Sequence, residues 1–300
     1  MRYAKILFII SATIFLSGCG NTITSTLDES IRDSLRADTK EKHITIIIGQ
    51  SNAGGSGKLT DLTSEQINRV ENSAGQTVAW YNNKYDEGNF WALSTPYQTD
   101  LPRNEFGLEL PLMMESDNLV ISMGSGGSRF DEWASNESYS NTHLMLRAQL
   151  SLLDQVKALE DKGYSVFIDT IIMWIGESTA SDDRIPNNQK FEHLERFIYE
   201  LKTICGRDDI LIQYVCVQHD DPIENSKRRD LNDFAKSIQG EYFSVIESSG
   251  EGFEKDPTHD LEHAKTSTIM EVGKRAVLNL NNATGKKVSY SDMIKQNINF

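Results

Sequence analysis

The run Ile44-Thr45-Ile46-Ile47-Ile48, halted by Gly49 and followed by Gln50-Ser51-Asn52-Ala53-Gly54-Gly55, restricts the fold of this chain most. β-Branched side chains lose rotamer freedom in a helix and pack well on a pleated strand. Apolar residues at consecutive positions leave no polar face, so the strand is buried on both sides, as in the middle of a parallel sheet. In open parallel sheets, ligands bind just beyond the carboxyl ends of the strands. Ser51 therefore stands where a nucleophile is useful. Small residues beside it let a substrate approach.

The same pattern recurs along the chain. Strands are expected at about 43–50, Asn118–Met123, Ser165–Trp174, Ile210–Val217 and Tyr242–Glu247. Helical periodicity lies between or after them, at about Thr142–Leu159, Asn188–Thr203, Ser226–Gln239 and Ala264–Leu280. Alternation of this kind predicts an α/β fold, with helices on both faces of a parallel sheet of about five strands. Thr77–Asn82 and Asn89–Leu93 flank a Lys-Tyr-Asp-Glu-Gly turn and read as a hairpin. Its Trp80, Tyr81, Phe90 and Trp91 suit a sheet edge or a sugar-stacking wall. No internal repeat or low-complexity linker divides residues 43–281, which are expected to form one domain, with a polar tail at 282–300.

The N-terminus has a different character. Arg2 and Lys5 precede an apolar run, Ile6 to Leu16, that is too short to span a bilayer and ends in Leu16-Ser17-Gly18-Cys19. This resembles a bacterial lipoprotein signal, with residues 1–18 removed and Cys19 acylated. Residues 19–42 would then be the lipidated cysteine and a polar tether. Glycine after Cys19 points to the outer membrane of the cell envelope, where more than one acyl chain gives stable anchoring. Loss of residues 1–18 takes Arg2 and Lys5 and no acid, so the formal charge goes from −14 to −16. Such an acidic chain without a basic cluster is unsuited to nucleic acid.

Cys205 and Cys216 remain after Cys19. The segment from Ile210 to Cys216 extends for roughly 20 Å as a strand, while a disulfide needs Cα atoms within about 7 Å. Both are expected to be free and buried. No Cys/His spacing suggests a metal site.

Four polar or glycine-bearing segments follow strands and would share one sheet edge: 49–55, 124–133, 175–179 and 248–263. The last contains Asp260-Leu261-Glu262-His263. An acid three residues before a histidine can hold Nδ1 and leave Nε2 to take a proton from serine. Asp256 and His259 show the same spacing, so two pairs compete for this role. The tetrahedral oxyanion needs prepared donors, and the N–H groups of Ser51 and of Gly126 or Gly127 suit it. Glu177 reads as a residue that ties a loop. His43, His143, His193 and His219 read as surface or packing residues.

Gly49-Gln50-Ser51-Asn52, then Gly126-Gly127-Ser128 with Trp133 five residues on, then Gly176-Glu177-Ser178, then Asp260-x-x-His263 resemble the ordered blocks of the SGNH-hydrolase superfamily. The branch they resemble is that of sialate O-acetylesterases and acetylxylan esterases. Asn104-Glu105-Phe106-Gly107-Leu108-Glu109-Leu110 is similar to a further block of that branch, with Leu108 where proline is usual, and Gly273 falls at the expected distance after His263. The resemblance spans about residues 43–280. It implies a three-layer, flavodoxin-like α/β/α fold, a Ser51–His263–Asp260 triad and no cofactor. It also implies an acetylated carbohydrate as substrate, with Gln50, Asn52, Glu177 and Trp133 supporting the site. Two residues depart from the pattern. Ile175 replaces a glutamine whose side chain lends a third oxyanion donor, and Thr179 replaces an aspartate. Loss of one such donor costs about 10²- to 10³-fold in rate, so the departures favour a poorly catalytic sugar-binding protein as the alternative.

Overall fold

The computed structural model describes residues 40–73, 76–82, 90–93, 105–133, 144–205, 208–218, 226–250, 253–254, 263–282 and 288–289. The isoleucine-rich run forms β1, Lys40–Gly49, exposed at its start and buried from Ile44 onward. Successive side chains alternate between two cores. Ile44, Ile46 and Ile48 join one, and Ile47 joins the other, as the two-residue period of a strand requires. The strand begins at Lys40, within the segment read as tether.

After β1 come α1 (Ser51–Gly54), β2 (Gly57–Lys58), α2 (Ser64–Glu71), β3 (Gln76–Asn82) and β4 (Phe90–Leu93). Next are β5 (Glu105–Phe106), α3 (Glu109–Glu115), β6 (Leu119–Ser125), α4 (Phe130–Trp133) and α5 (Leu144–Glu160). Then follow β7 (Tyr164–Trp174), α6 (Glu177–Ser181), α7 (Asn187–Cys205), β8 (Leu211–Val215) and α8 (Ser226–Ser237). β9 (Phe243–Ile246), α9 (Thr266–Asn282) and β10 (Val288–Ser289) complete the order.

The main sheet runs β4-β3-β6-β1-β7-β8-β9. β3, β6 and β1 pair in parallel, as do β7, β8 and β9. The hairpin is therefore part of this sheet: β3 pairs with β6, and β4 turns back antiparallel at the edge. β10 arises from the segment read as a polar tail. It pairs antiparallel with β7 at Phe167 and Ile168, beyond the Thr170–Met173 stretch that β8 covers. Cys205 closes α7, and Cys216 lies one residue past β8; both are free and buried. Among the described residues, no helix is long and apolar enough to cross a membrane.

Helices α4, α5, α7 and α8 pack on one face of the sheet, and α2, α3 and α9 pack on the other. The chain leaves β1 through the second layer and leaves β6 through the first. These two strands are neighbours, in register to Gly49 and Gly124 at their carboxyl ends. Adjacent strands whose connections depart to opposite faces open a crevice between them, the usual ligand position in such sheets. Ser51 stands at its rim.

Helix α9 approaches α3 through Gly273, where a Cβ would lie 2.5 Å from two atoms of the Pro111 ring. Alanine in place of glycine ordinarily strengthens a helix by about 1 kcal/mol. Here the added methyl forces the helices apart, and such overpacking costs about 1–3 kcal/mol. Gly273→Ala is thus expected to lower the thermal midpoint despite its helix propensity. A circular-dichroism melt showing a rise would refute the tight contact.

Candidate active site

The first segment is shaped by close approach. A Cβ on Gly49 would sit 2.3 Å from the Trp174 carbonyl oxygen and 2.5 Å from Ala53 Cβ. Its absence lets the chain turn tightly from β1 into α1. The Gln50 N–H donates to the Trp174 carbonyl (3.1 Å), while the Gln50 carbonyl accepts from Ala53 and Gly54 N–H groups. Ser51 is thereby the first residue of a helix. First-turn N–H groups have no carbonyl within the helix to reach, which leaves the Ser51 amide suited to an anion.

Residues 105–110 press on this turn from behind. The Leu108 N–H donates to the Ala53 carbonyl at 2.8 Å. A Cβ on Gly107 would fall 1.9 Å from that same oxygen. The buried Glu109 carboxylate accepts from the Gly107 N–H. This contact is the physical reason for the block that the sequence displayed only by resemblance.

The second segment leaves β6 at Ser125. The Ser125 carbonyl accepts from both the Ser128 N–H (3.2 Å) and the Ser128 hydroxyl (2.7 Å). The turn between them contains Gly127 at φ +67, a left-handed conformation. Gly127 is exposed and Gly126 half-buried, so both lie at the protein surface just past the carboxyl end of β6. Trp133 supports this turn from inside the protein. It is fully buried, its indole N–H donates to Ser128 Oγ at 2.9 Å, and its ring lies 6.0 Å from that of Phe197. It underpins the loop and presents no face to a ligand.

The third segment turns at Gly176, which adopts φ +136 and faces Val217 and the Tyr214 hydroxyl at 2.9 and 3.0 Å from a hypothetical Cβ. Glu177 follows, 2 % exposed. Its two carboxylate oxygens accept from Gln50 Nε2 at 2.5 Å and Asn52 Nδ2 at 3.0 Å. A buried carboxylate is tolerated only when hydrogen-bonded, and here both partners flank Ser51. Tyr214 lies beneath. Burial, then the Cys216 thiol and the Glu177 carboxylate, push its phenol well above the usual range and keep it protonated. Lys190 braces the far end of α6: it is 1 % exposed, and its ammonium donates to the Ala180 carbonyl at 2.7 Å. Ile175 is fully buried in the apolar core and offers no donor to the crevice. The Thr179 hydroxyl accepts from the Phe130 N–H at 3.2 Å, joining the second and third segments.

The fourth segment reaches the site through Asn52. Its Oδ1 accepts from the Ala264 N–H at 2.9 Å and from the Ser56 hydroxyl at 3.1 Å. The residue after Ser51 thus holds the residue after His263, across 212 positions of sequence. Asp260 and the rival pair Asp256 and His259 lie outside the described residues, as do Cys19, the tether to residue 39 and the tip of the aromatic hairpin. Among the described residues no three His, Cys, Asp or Glu side chains gather as metal ligands. Sequence reasoning had placed Gln50, Asn52 and Glu177 near the serine. It missed that Glu177 bridges the other two, and that Asn52 continues the chain of bonds to the histidine loop. A pairing over 125 or more residues leaves no local signal.

The chain is similar to known proteins. Residues 41–280 match the family described as carbohydrate esterase, sialic acid-specific acetylesterase. No curated protein sequence matches. A solved structure of a protein from Arabidopsis thaliana superposes with a TM-score of 0.56 at 14% identity, covering 81% of this chain and 98% of that one. A carbohydrate acetylesterase from Xanthomonas citri superposes with a TM-score of 0.53 at 15% identity, covering 83% of this chain and 56% of that chain. NanS superposes with a TM-score of 0.52 at 11% identity, covering 81% of this chain and 98% of its own. These likenesses show a shared fold.

Proposed function

Because the chain belongs to the sialic acid-specific acetylesterase family of carbohydrate esterases, we propose that it is a serine esterase removing O-acetyl groups from a carbohydrate through an acetyl-enzyme. The observation that carries this reading is the bond from the Ala264 N–H to Asn52 Oδ1, which brings the neighbour of His263 onto the neighbour of Ser51. Ser51 Oγ attacks the acetyl carbonyl as His263 takes its proton. Asp260 holds the imidazole in the productive tautomer. The oxyanion is received by the Ser51 N–H and by one from Gly126 or Gly127. His263 then returns the proton to the leaving sugar oxygen, and water, activated by the same histidine, releases acetate.

A second reading is favoured by one residue. Ile175 is apolar and fully buried where a donor is expected, which supports a protein that binds acetylated sugars and turns them over poorly. In either reading, Cys19 is the proposed point of lipid attachment in the cell envelope.

Purified residues 20–300, given a chromogenic acetate ester, are expected to release acetate. A fluorophosphonate is expected to label Ser51 and to spare Ser51→Ala. Absence of both turnover and labelling, with acetylated glycans still bound, would select the second reading. Label on another serine would overturn the assignment.

A further inference from the structure

Asn52 is fully buried, and each end of its amide is used. Nδ2 donates to Glu177 Oε1 at 3.0 Å, and Oδ1 accepts from Ser56 Oγ at 3.1 Å and from the Ala264 N–H at 2.9 Å. The polarity of the side chain is thus dictated on both sides: an acceptor below and donors above. Glu177 is itself buried and shared with Gln50. We propose that Asn52 is the positioning residue for the general base, setting the height of His263 over Ser51 through the Ala264 N–H and taking its own orientation from Glu177. This rests on the assignment of Ser51 and His263 as nucleophile and base.

The geometry suits that task. Asn52 lies on α1 directly after the nucleophile, so one rigid helical turn carries both Ser51 and the anchor of the histidine segment. The remainder of that segment is gripped from α9 and its approach: Lys265 N–H bonds the Glu254 carbonyl at 2.9 Å, and Thr266 Oγ1 accepts from the Lys58 N–H at 2.8 Å. Neither of those bonds touches α1. Asn52 alone of these three registers the histidine segment against the serine. A displacement of about 1 Å between reacting groups costs about 10²-fold in rate.

Asparagine and aspartate have the same shape, which allows a test by polarity. In Asn52→Asp, a carboxylate oxygen replaces Nδ2 and meets Glu177 Oε1. Two carboxylates that close cannot both ionise, so the pair retains a proton until pH is high. While that proton is present the bridge persists; as pH rises and it leaves, the two side chains repel. The activity of Asn52→Asp relative to wild type at the same pH is therefore expected to fall with rising pH, to about 10²-fold below wild type, chiefly in kcat. The double variant Asn52→Asp/Glu177→Gln restores one donor and one acceptor to the bridge. It is expected to regain activity to within about tenfold of wild type and to lose the added pH dependence.

The measurements are kcat, KM and the melting midpoint for Asn52→Asp, Glu177→Gln and the double variant between pH 5 and 9, with Ser51→Ala and His263→Ala alongside. If the last two are inactive but Asn52→Asp stays within threefold of wild type at every pH, the positioning role is wrong. A pH-independent loss that the double variant fails to relieve, with unchanged melting midpoints, also overturns it. If Ser51→Ala or His263→Ala retains activity, the underlying assignment fails instead.

Discussion

Replacing His263 with alanine is expected to lower kcat/KM by about 10⁴- to 10⁶-fold, close to the loss from Ser51→Ala, and the double variant should lose no more. Groups that act as a unit do not give additive losses, because a serine without its base is already a weak nucleophile. His259→Ala should change activity by well under tenfold. The structural reason is local. Ala264 is anchored to Asn52 and Lys265 to Glu254, so position 263 is held on both the helix side and the serine side. His259 is separated from that anchor by four further residues. Steady-state kinetics of the four variants decides. If His259→Ala is the inactive one, Asp256 and His259 are the dyad. If neither histidine matters, the base lies elsewhere.

Trp133→Ala is expected to have the largest effect on stability of any single change near the site. A fully buried tryptophan truncated to alanine costs about 3–5 kcal/mol, from lost transfer and the cavity left behind. For a domain of this size, each kcal/mol moves the thermal midpoint by about 2–4 °C, so a fall of roughly 6–20 °C follows. Activity should drop below that melt as well, because the indole N–H fixes the Ser128 hydroxyl at the base of the glycine turn. Trp133→Phe separates the two effects. It keeps most of the packing against Phe197 but removes the donor, at a cost of about 1 kcal/mol. Its kcat should fall by more than its melting midpoint suggests. Equal kcat and midpoint for Trp133→Phe and wild type would show that the hydrogen bond has no role in the turn.

The parts of this fold visible in the sequence are those whose cause is local. The isoleucine run of β1, the apolar ends of β6 and β7, and the 3.6-residue stripes of α5, α7 and α9 each satisfy a periodicity that burial imposes on nearby residues. Between 57 and 117 the sequence showed the hairpin and the 104–110 block but not the helices. Helix α2 begins with a Thr63/Gln66 capping box, a signal that was available in the residues but lacked an apolar stripe to accompany it. The turn between Thr77–Asn82 and Asn89–Leu93 identified a hairpin without identifying its further partner, since the pairing of β3 with Leu119–Ser125 joins residues 43 positions apart. Residues at the site followed the same rule. Position after a strand was sufficient to bring Ser51, Gly126, Gly127 and Glu177 to one edge. It could not tell that Trp133 faces inward, or that the Glu177 carboxylate spans Gln50 and Asn52.

The bond between Asn52 and Ala264 also has a consequence for synthesis. Ser51, the proposed nucleophile, emerges from the ribosome early, just after a strand whose parallel neighbour β6 lies some seventy residues on. Its histidine anchor comes 212 positions after it. Contacts of such sequence separation form late and slowly in folding. A nascent chain that ends before Ala264 therefore lacks the bond that registers the proposed base, His263, on the helix that carries Ser51. On the assignment proposed above, activity would appear only once the segment before α9 has reached Asn52, so that it would report completion of the fold.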